Sequence, residues 1–294
     1  MSTHRFVWVD AFTDRPFGGN PCAVVFDADA VPVETRLAYT RETRLSECAF
    51  VVASDTADFG ARYYLATREI PLAGHPTIAT CAALEAAGLL EGRDRFTLEV
   101  GAGVMPIEIR RRGAQTEFAM TQFAPVFGPA VTAGTVAEIY GLTAEDVVAP
   151  PQIVSTGTAF CVTVLRDHDA LRRAKLDVAG LEALRMQVGG ADAALMEPFL
   201  VTVQGAEAGD TFSRLLLAPP LPPEDPFTGS ATGAMAAYLW HRGLIGRPDF
   251  VAEQGHWMGR PGSANVEVLG PPEAISGVIV AGSGVVLMEG TVGL

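Results

Sequence analysis

The chain lacks the sequence motifs that bind common cofactors. It contains no phosphate-binding loop of the form G-x-x-x-x-G-K-[ST], no strand-borne G-x-G-x-x-G and no G-x-S-x-G nucleophile turn. Its five histidines are not spaced as H-x-x-x-H, and its four cysteines form no C-x-x-C pair. An enzyme with this sequence is therefore expected to work through its own side chains, without a metal ion or an organic cofactor.

Positive charge and long apolar runs are also scarce. The chain has 21 Lys and Arg against 34 Asp and Glu, which gives a net charge of −13 and a pI near 4.8. Nucleic acids and anionic membranes bind basic surfaces, so neither is an expected partner. No apolar run approaches the length of a membrane span, and no signal peptide is recognisable at the N-terminus. We therefore expect a soluble, cytoplasmic protein. A small anionic substrate remains compatible with this charge, because helix ends and a few arginines act locally.

Cysteine usage points to a reducing environment. The four cysteines, Cys22, Cys48, Cys81 and Cys161, lie far apart, and each is surrounded by apolar residues. Buried, reduced thiols are therefore expected rather than disulfides.

The most informative pattern in the chain is an internal duplication. Segment 69–89 matches segment 224–244 without a gap, with identical residues at nine of the 21 positions. The matches include Glu, Pro, Gly and Thr around a turn, and Ala, Leu and Gly in the stretch that follows. This pattern predicts two copies of one ancestral unit, related by a pseudo-twofold axis.

Each copy is predicted to be a strand, a Pro/Gly turn and a helix, with the helices beginning near Pro76 and Ala231. Small apolar residues occupy nearly every face of both helices, which is typical of a helix that is buried on all sides. The residues before each helix, 74–75 and 229–230, would present backbone N–H groups at the positive end of a helix dipole. The twofold would bring these two ends together as one anion-binding cleft.

The remaining pattern predicts an α+β fold in which a curved sheet wraps around each buried helix, giving two β-barrel-like halves. The N-terminal half would comprise residues 1–122 and the C-terminal half residues 123–280, with a seam in the Pro/Gly/Ala-rich stretch 123–130. Residues 281–294 would return to the first half. Predicted strands include residues 6–9, 22–26, 49–52, 62–65, 96–100, 105–109, 116–120, 153–154, 160–165, 199–203, 212–217 and 277–289, and predicted helices include 33–43, 131–140 and 181–187.

Candidate catalytic side chains lie at the two helix starts and at one strand opening. Glu47 is a carboxylate in an apolar segment, where burial would raise its pKa toward the range useful for general acid–base catalysis; a water-facing acid at a strand end is the alternative. His75 and Ser230 occupy equivalent positions of the repeat, so symmetry predicts that they share one cleft. Each of them could instead serve only as a helix cap. Asp225 precedes a proline, which is also an ordinary way to open a turn.

With these residues in place, the chain resembles the PhzF family, the phenazine-biosynthesis-like isomerases that share the diaminopimelate epimerase fold. The resemblance spans nearly the whole chain and rests on six motif groups: Val9-Asp-Ala-Phe with Gly19-Asn-Pro-Cys-Ala-Val-Val25, Leu45-Ser-Glu47 with Phe50-Val51, Glu69-Ile-Pro-Leu-Ala-Gly-His-Pro-Thr77, Ser155-Thr-Gly157, Glu224-Asp-Pro-Phe-Thr-Gly-Ser-Ala231, and Gln254-Gly255 with Met258-Gly-Arg-Pro261. It implies two barrel-like halves around central helices, an active site between them, and a homodimer as the usual assembly.

The resemblance also implies an isomerisation by proton transfer, in which Glu47 is the acid–base. Its partners in the cleft would be His75, Asp225 and Ser230, with backbone contacts from Gly74 and Gly229. Asp225, if protonated, would donate a hydrogen bond to the substrate, while the helix starts would hold a carboxylate. In the phenazine enzyme itself the substrate is trans-2,3-dihydro-3-hydroxyanthranilate.

The chain departs from the family pattern next to the expected acid. Arg44 and Cys48 flank Leu-Ser-Glu where Asn and Thr are frequent, and Leu65-Ala-Thr67 stands where a Thr-Pro pair is usual. These departures leave the expected proton-transfer residues in place, but they do not indicate which substrate the protein uses.

Two other functions compete with this interpretation. An epimerase or racemase of the same fold would use two opposed cysteines, but neither helix start contains one, and Cys48 and Cys81 are the only nearby thiols. A catalytically inactive ligand-binding protein is the third possibility, and the joint presence of the four candidate side chains argues against it. Deuterium uptake from solvent into a turned-over ligand separates an isomerase or epimerase from a binder.

Overall fold

The computed structural model describes residues 2–113, 115–188 and 197–294. In these residues the chain forms six α-helices: α1 Val33–Thr43, α2 Gly74–Ala86, α3 Ala133–Ile139, α4 His168–Arg173, α5 Val178–Val188 and α6 Gly229–His241. It also forms seventeen strands: β1 Thr3–Ala11, β2 Asn20–Val25, β3 Glu47–Val52, β4 Phe59–Leu65, β5 Glu69–Ile70, β6 Arg95–Val100, β7 Gly103–Arg112, β8 Gln115–Gln122, β9 Val126–Ala130, β10 Gln152–Ser155, β11 Ala159–Val164, β12 Phe199–Thr202, β13 Thr211–Leu216, β14 Glu224–Asp225, β15 Asp249–Gln254, β16 Gly262–Leu269 and β17 Gly277–Gly293.

The strands of the first half close into a ring. Strand pairing runs β1–β2–β3–β4–β6–β7–β8–β17 and returns from β17 to β1, which makes a barrel of eight strands. The β2–β3 and β4–β6 pairs are parallel, and the other pairs are antiparallel. A closed ring leaves no free sheet edge.

The second half repeats the same order of pairings. The path β10–β11–β12–β13–β15–β16–β17 has parallel pairs at β11–β12 and β13–β15, at the positions of the two parallel pairs in the first half. A two-strand hairpin, β4–β5 or β13–β14, precedes the buried helix in each half. The duplication seen in two short loops therefore extends to the whole topology.

The two halves are joined through one long strand. β17 pairs through its first residues with β16 and β8, and through its later residues with β1. β9 follows β8 after three residues and pairs with β10. The chain segments β8–β9 and β17 thus contribute to both barrels.

Helices α2 and α6 each lie inside one barrel. α2 packs against β1, β2, β3, β8 and β17, and α6 packs against β10, β11, β16 and β17. Every residue from Gly74 to Leu84 and from Gly229 to Leu239 is buried. Small side chains let strands approach such a helix from all sides, which is why both helices are rich in Ala, Gly and Thr.

The predicted α+β class with two barrel-like halves around central helices is confirmed, and the predicted strands and helices all occur with shifts of a few residues at their ends. The sequence missed β9, because Gly128 and Pro129 argue against a strand; β9 pairs on one side only, and Pro129 lies outside the paired positions. The described residues include no helix that is both long and apolar enough to cross a membrane.

Candidate active site

The first turns of α2 and α6 meet between the two barrels. Gly74 and Gly229 are in backbone contact, since a Cβ on Gly74 would overlap Gly229 and a Cβ on Gly229 would lie 3.0 Å from the Gly74 Cα. Two helix N-termini therefore open toward one shared cleft, as the duplication predicted. Only glycine leaves room for this approach.

Both helices begin two residues earlier than predicted, at the glycines and not at Pro76 and Ala231. The N-cap residues are Ala73 and Thr228, and neither caps its helix through a side chain. The expectation that Ser230 is an N-cap is therefore wrong. Ser230 is the second helical residue, and it lines the cavity between the halves.

Glu47 is the first residue of β3, and it reaches the start of α2. Its Oε2 atom lies 3.6 Å from Nδ1 of His75, and the two side chains are 14% and 2% exposed. Burial lowers the pKa of His75 to about 3, so the imidazole is neutral near pH 7. The contact is therefore a close approach of a carboxyl group to a neutral ring and not an ion pair.

Asp225 approaches the same site from the second half, with Asn20 between it and His75. The Asn20 Nδ2 atom lies 2.9 Å from His75 Nδ1, and it donates to Asp225 Oδ1 and to the Phe227 carbonyl at 2.8 Å each. Asp225 Oδ1 and the Phe227 carbonyl can only accept, which fixes the orientation of the amide and uses its two N–H groups. A share of either N–H for His75 requires Nδ1 to be the acceptor nitrogen of the neutral ring. Thr228 Oγ1 donates to the other Asp225 oxygen at 2.6 Å.

The two carboxyl groups differ in their environment. Burial and the nearby Asp225 raise the pKa of Glu47 well above its usual value. Burial raises the pKa of Asp225 to about 6, against the opposing effect of the hydrogen bonds from Thr228 and Asn20. These bonds stabilise an ionised Asp225, whereas Glu47 Oε2 accepts none from the described residues, so protonation is favoured more at Glu47 than at Asp225.

Two buried polar atoms in this region, Glu47 Oε2 and His75 Nε2, have no hydrogen-bond partner among the described residues. An unpaired buried polar atom is costly, and such atoms concentrate where a ligand binds. Glu47 Oε2 and His75 Nε2 belong to side chains that the sequence had singled out. These two atoms are therefore available to form hydrogen bonds with a ligand.

A narrow cavity with a volume of about 20 Å³ is lined by Glu47 and Asp225, whereas His75 is not among its lining residues. Its polar lining comprises Ser46, Glu47, Thr158, Asp225, Thr228 and Ser230, and its apolar lining comprises Leu65, Ile70, Leu72, Phe160, Leu215, Leu217 and Leu221. No lysine or arginine occurs among these described lining residues. The space holds one or two water molecules, whereas benzene needs a cavity of roughly 150 Å³.

Comparison with known proteins identifies the family. The family model described as phenazine biosynthesis-like protein, PhzC-PhzF, matches residues 9–290. The chain belongs to the PhzF family. It is 32% identical over 293 residues to the trans-2,3-dihydro-3-hydroxyanthranilate isomerase of Pseudomonas aeruginosa, with 98% of each chain covered. An uncharacterized isomerase of Bacillus subtilis is 28% identical over 263 residues, which is 88% of each chain.

Solved structures agree with this assignment. The PhzF-family phenazine biosynthesis protein of Bacillus anthracis superposes with a TM-score of 0.86 at 27% identity, over the full length of both chains. A hydroxyproline epimerase from Agrobacterium vitis, at 14% identity and a TM-score of 0.65, covers 99% of this chain and 92% of its own, and shows the fold alone. The protein is an isomerase of the PhzF family with an epimerase-like fold.

None of the four cysteines is among the described residues that line this cavity. All four are buried and free. Burial raises the pKa of Cys48 to about 11, and burial also raises the pKa of Cys81. Neither residue belongs to the described cavity lining. Thiols of this kind are poor acids and bases near neutral pH.

Sequence reasoning missed several residues that position the site. Gln122 donates to the Gly229 carbonyl at 2.9 Å and accepts a hydrogen bond from Thr156 at 2.6 Å, which fixes the start of α6. Gln254 accepts from the Thr228 backbone N–H at 3.0 Å and donates to the Asp225 carbonyl at 2.8 Å. Gln254 begins one of the family motif groups, although its contacts could not be foreseen from the motif. Gln122 lies in a strand of ordinary pattern and is distinguished only by its burial.

Two loops of different halves hold Asn20 in position. Arg260 donates to buried Asp10 at 2.6 Å and to the Gly19 carbonyl at 2.9 Å. Phe12, from the same loop as Gly19, stacks on Phe227 with ring centroids 4.3 Å apart. The Arg260 hydrogen bond thus ties Gly19, the residue before Asn20, to the second half of the molecule, and the Phe12–Phe227 stack ties the same loop to it.

Proposed function

We propose that this isomerase moves a proton within a small unsaturated amino or hydroxy acid, with no cofactor, and that Glu47 is its acid–base. The observation that carries the proposal is the position of Glu47: its side chain is only 14% exposed, lies 3.6 Å from His75 at the start of α2, lines one cavity with Ser230 at the start of α6, and has Oε2 unpaired among the described residues. The first substrate to test is trans-2,3-dihydro-3-hydroxyanthranilate, because a relative of 32% identity is named for it.

The chemistry is a transfer between two carbons. Ionised Glu47 removes a proton from an sp³ carbon made acidic by a neighbouring double bond or carbonyl group. The electron pair of that C–H bond moves into the unsaturated system, and protonated Glu47 returns the proton to another carbon of the same system. One C–H bond breaks and one forms, so the reaction consumes no oxidant or reductant.

Glu47 must lose its proton before it can act as a base, although burial favours the protonated form. A substrate ammonium or hydroxyl group that donates to Oε2 would lower the pKa of Glu47 and release the base. The expectation that Asp225 is the protonated donor is less well supported, because Asp225 accepts two hydrogen bonds that favour its carboxylate. We propose that Asp225 instead accepts a hydrogen bond from the substrate or orients Asn20.

A substrate carboxylate would bind at the starts of α2 and α6. The first-turn backbone N–H groups lack intrahelical partners and lie at the positive ends of two dipoles. Ser230 adds a hydroxyl group, and Gly74 and Gly229 allow close approach. Since the closed cavity of about 20 Å³ is too small for a ring, binding requires the cleft to open.

The proposal is tested by incubating the enzyme with trans-2,3-dihydro-3-hydroxyanthranilate in D₂O and following the ring protons by NMR. An isomerase produces a rearranged product, which carries deuterium at the new C–H position to the extent that Glu47 exchanges its proton with solvent before returning it. Unchanged ligand after prolonged incubation would remove this substrate, and a protein that binds the ligand with neither rearrangement nor exchange would be a binder and not an isomerase.

A further inference from the structure

A groove of about 750 Å³ lies on the surface beside the catalytic cavity. One wall comes from the end of α1 and the residues that lead into β3, and the other comes from the loop that precedes β14. Its lining comprises Ala38, Thr40, Arg41, Glu42, Arg44, Leu45, Ala66, Pro220, Leu221 and Pro222. The groove therefore lies between the two halves of the molecule, as the catalytic cavity does.

Leu221 separates the groove from the catalytic cavity. It is partly buried and lines both spaces. Leu45 and Ala66 line the groove, and their chain neighbours Ser46 and Leu65 line the cavity. Movement of one leucine side chain and its loop would join the two spaces into a single passage.

Arg44 has an unusual backbone conformation at the mouth of this groove. It is the C-cap of α1 and adopts the left-handed region, with φ 60° and ψ 15°. Glycine and asparagine occupy such positions at lower cost than a long side chain does. An arginine in this backbone conformation is less stable than a glycine or asparagine would be. A function of the Arg44 side chain would explain why arginine occupies the position.

The guanidinium of Arg44 is exposed and has no hydrogen bond or ion pair with any described residue. Arg41, one turn earlier, donates to the Ala66 carbonyl at 3.1 Å, which holds its side chain along the groove. Glu42 is the only acidic residue in the described lining. The groove is therefore locally positive on a molecule whose net charge is −13.

We propose that this groove is the entrance to the active site, and that Arg44, with Arg41, captures the carboxylate of the incoming substrate before it passes Leu221. The inner cavity has no arginine or lysine in its described lining, so these two side chains provide the cationic attraction that the catalytic site lacks. A positive entrance on an acidic protein raises the local concentration of an anion and its association rate. The inference rests on the proposed function only for the choice of substrate.

The test measures association of 3-hydroxyanthranilate, an unreactive aromatic anion, by stopped-flow ligand fluorescence between low salt and about 0.2 M NaCl. 2-Aminophenol, the same ring without the carboxylate, is the neutral probe. Arg44→Gln should reduce the association rate of the anion about three- to tenfold at low salt and flatten its salt dependence, with little change for the neutral probe. Arg95→Gln removes the same charge from the start of β6, away from the groove, and should leave both rates unchanged.

Arg44→Asn distinguishes a functional arginine from a structural one. Asparagine fits the left-handed cap, so the melting temperature should stay equal or rise while association of the anion slows. Equal association rates for Arg44→Gln and Arg95→Gln, or no binding of the anion to the wild type, would overturn the entrance proposal. A wild type that binds 3-hydroxyanthranilate with the expected salt dependence, but does not rearrange the dihydro compound, would remove the proposed substrate and leave the entrance standing.

Discussion

Two carboxyl groups approach one another in the buried site, and their hydrogen bonds decide which of them keeps a proton. Asp225 accepts from Asn20 and Thr228, whereas Glu47 Oε2 accepts from no described residue. Because an ionised carboxylate gains most from donors, the negative charge is favoured on Asp225 and disfavoured on Glu47. The hydrogen-bond partners of each carboxyl group thus favour a protonated Glu47 beside an ionised Asp225.

The charge of Asp225 contributes to the raised pKa of Glu47. Asp225→Asn removes a neighbouring negative charge, so the pKa of Glu47 should fall, while burial, the larger cause, keeps it above the usual value. A ¹³C NMR titration of the Glu47 carboxyl carbon in the ligand-free protein measures the shift. Asp249→Asn, at an exposed position, is the control and should leave the titration unchanged. A Glu47 pKa that stays the same or rises in Asp225→Asn would contradict the coupling.

At the residue scale, the sequence could identify Glu47, His75, Asp225 and Ser230 as candidates, because three lie in a repeat and one lies in an apolar segment. Their roles stay predictions. Asn20 could not be identified in this way: its amide joins His75 to Asp225 across the two halves, a contact between residues 205 positions apart. Asn20 belongs to a family motif group, but an asparagine before a proline is also an ordinary turn residue, and the motif does not show which residues its amide joins.

At the scale of elements, the site depends on two helix starts that touch. Neither α2 nor α6 has a side-chain cap at its start. Their first N–H groups are therefore compatible with the proposed carboxylate site. The sequence placed both starts two residues too late, because proline and serine are typical of a first turn or a cap, whereas glycine at the first helical position is explained only by the partner helix.

Gly74→Ala should push the two helix starts apart. Its Cβ would overlap backbone atoms of Gly229, which cannot move independently, so we expect a loss of about 1–3 kcal/mol in the free energy of unfolding, together with a fall in activity. Gly134→Ala is the matched control, because a Cβ in α3 meets nothing within 4 Å and should leave stability equal or slightly raised. Thermal and urea unfolding measure both. Equal stability of the two variants would contradict the close approach.

Gly233→Leu and Ser230→Ala separate packing from binding within α6. A side chain on Gly233 would overlap the Gln122 carboxamide, so Gly233→Leu should destabilise the protein by roughly 1–3 kcal/mol. Ser230 is not the N-cap, so Ser230→Ala should cost less than about 1 kcal/mol while weakening ligand binding. Melting temperatures and ligand titrations measure the two effects. The opposite order of stability would show that α6 is wrongly placed.

At the scale of the whole molecule, the duplicated order of strand pairings generates the cleft. Each barrel encloses one helix, β17 pairs with strands of both halves, and the two helix starts meet where the halves join. The duplication made this arrangement predictable. The volume of the closed cavity and its apolar wall were not, because they depend on side chains from several strands that no local pattern connects. Homodimer assembly and a cytoplasmic location stay predictions.

Glu47 is proposed to move a proton in a cleft shared by the two halves of the chain. The most direct test is the turnover of trans-2,3-dihydro-3-hydroxyanthranilate by Glu47→Gln in D₂O, compared with the wild type, Glu47→Asp, Cys48→Ala and Cys81→Ala. Glu47→Gln should fold, bind ligand and lose about 10²–10⁴-fold or more in rate, and Glu47→Asp should be impaired because its shorter side chain misplaces the base. Both cysteine variants should keep most activity. Full activity and deuterium uptake in Glu47→Gln, together with inactive cysteine variants, would contradict the account and favour a two-thiol epimerase.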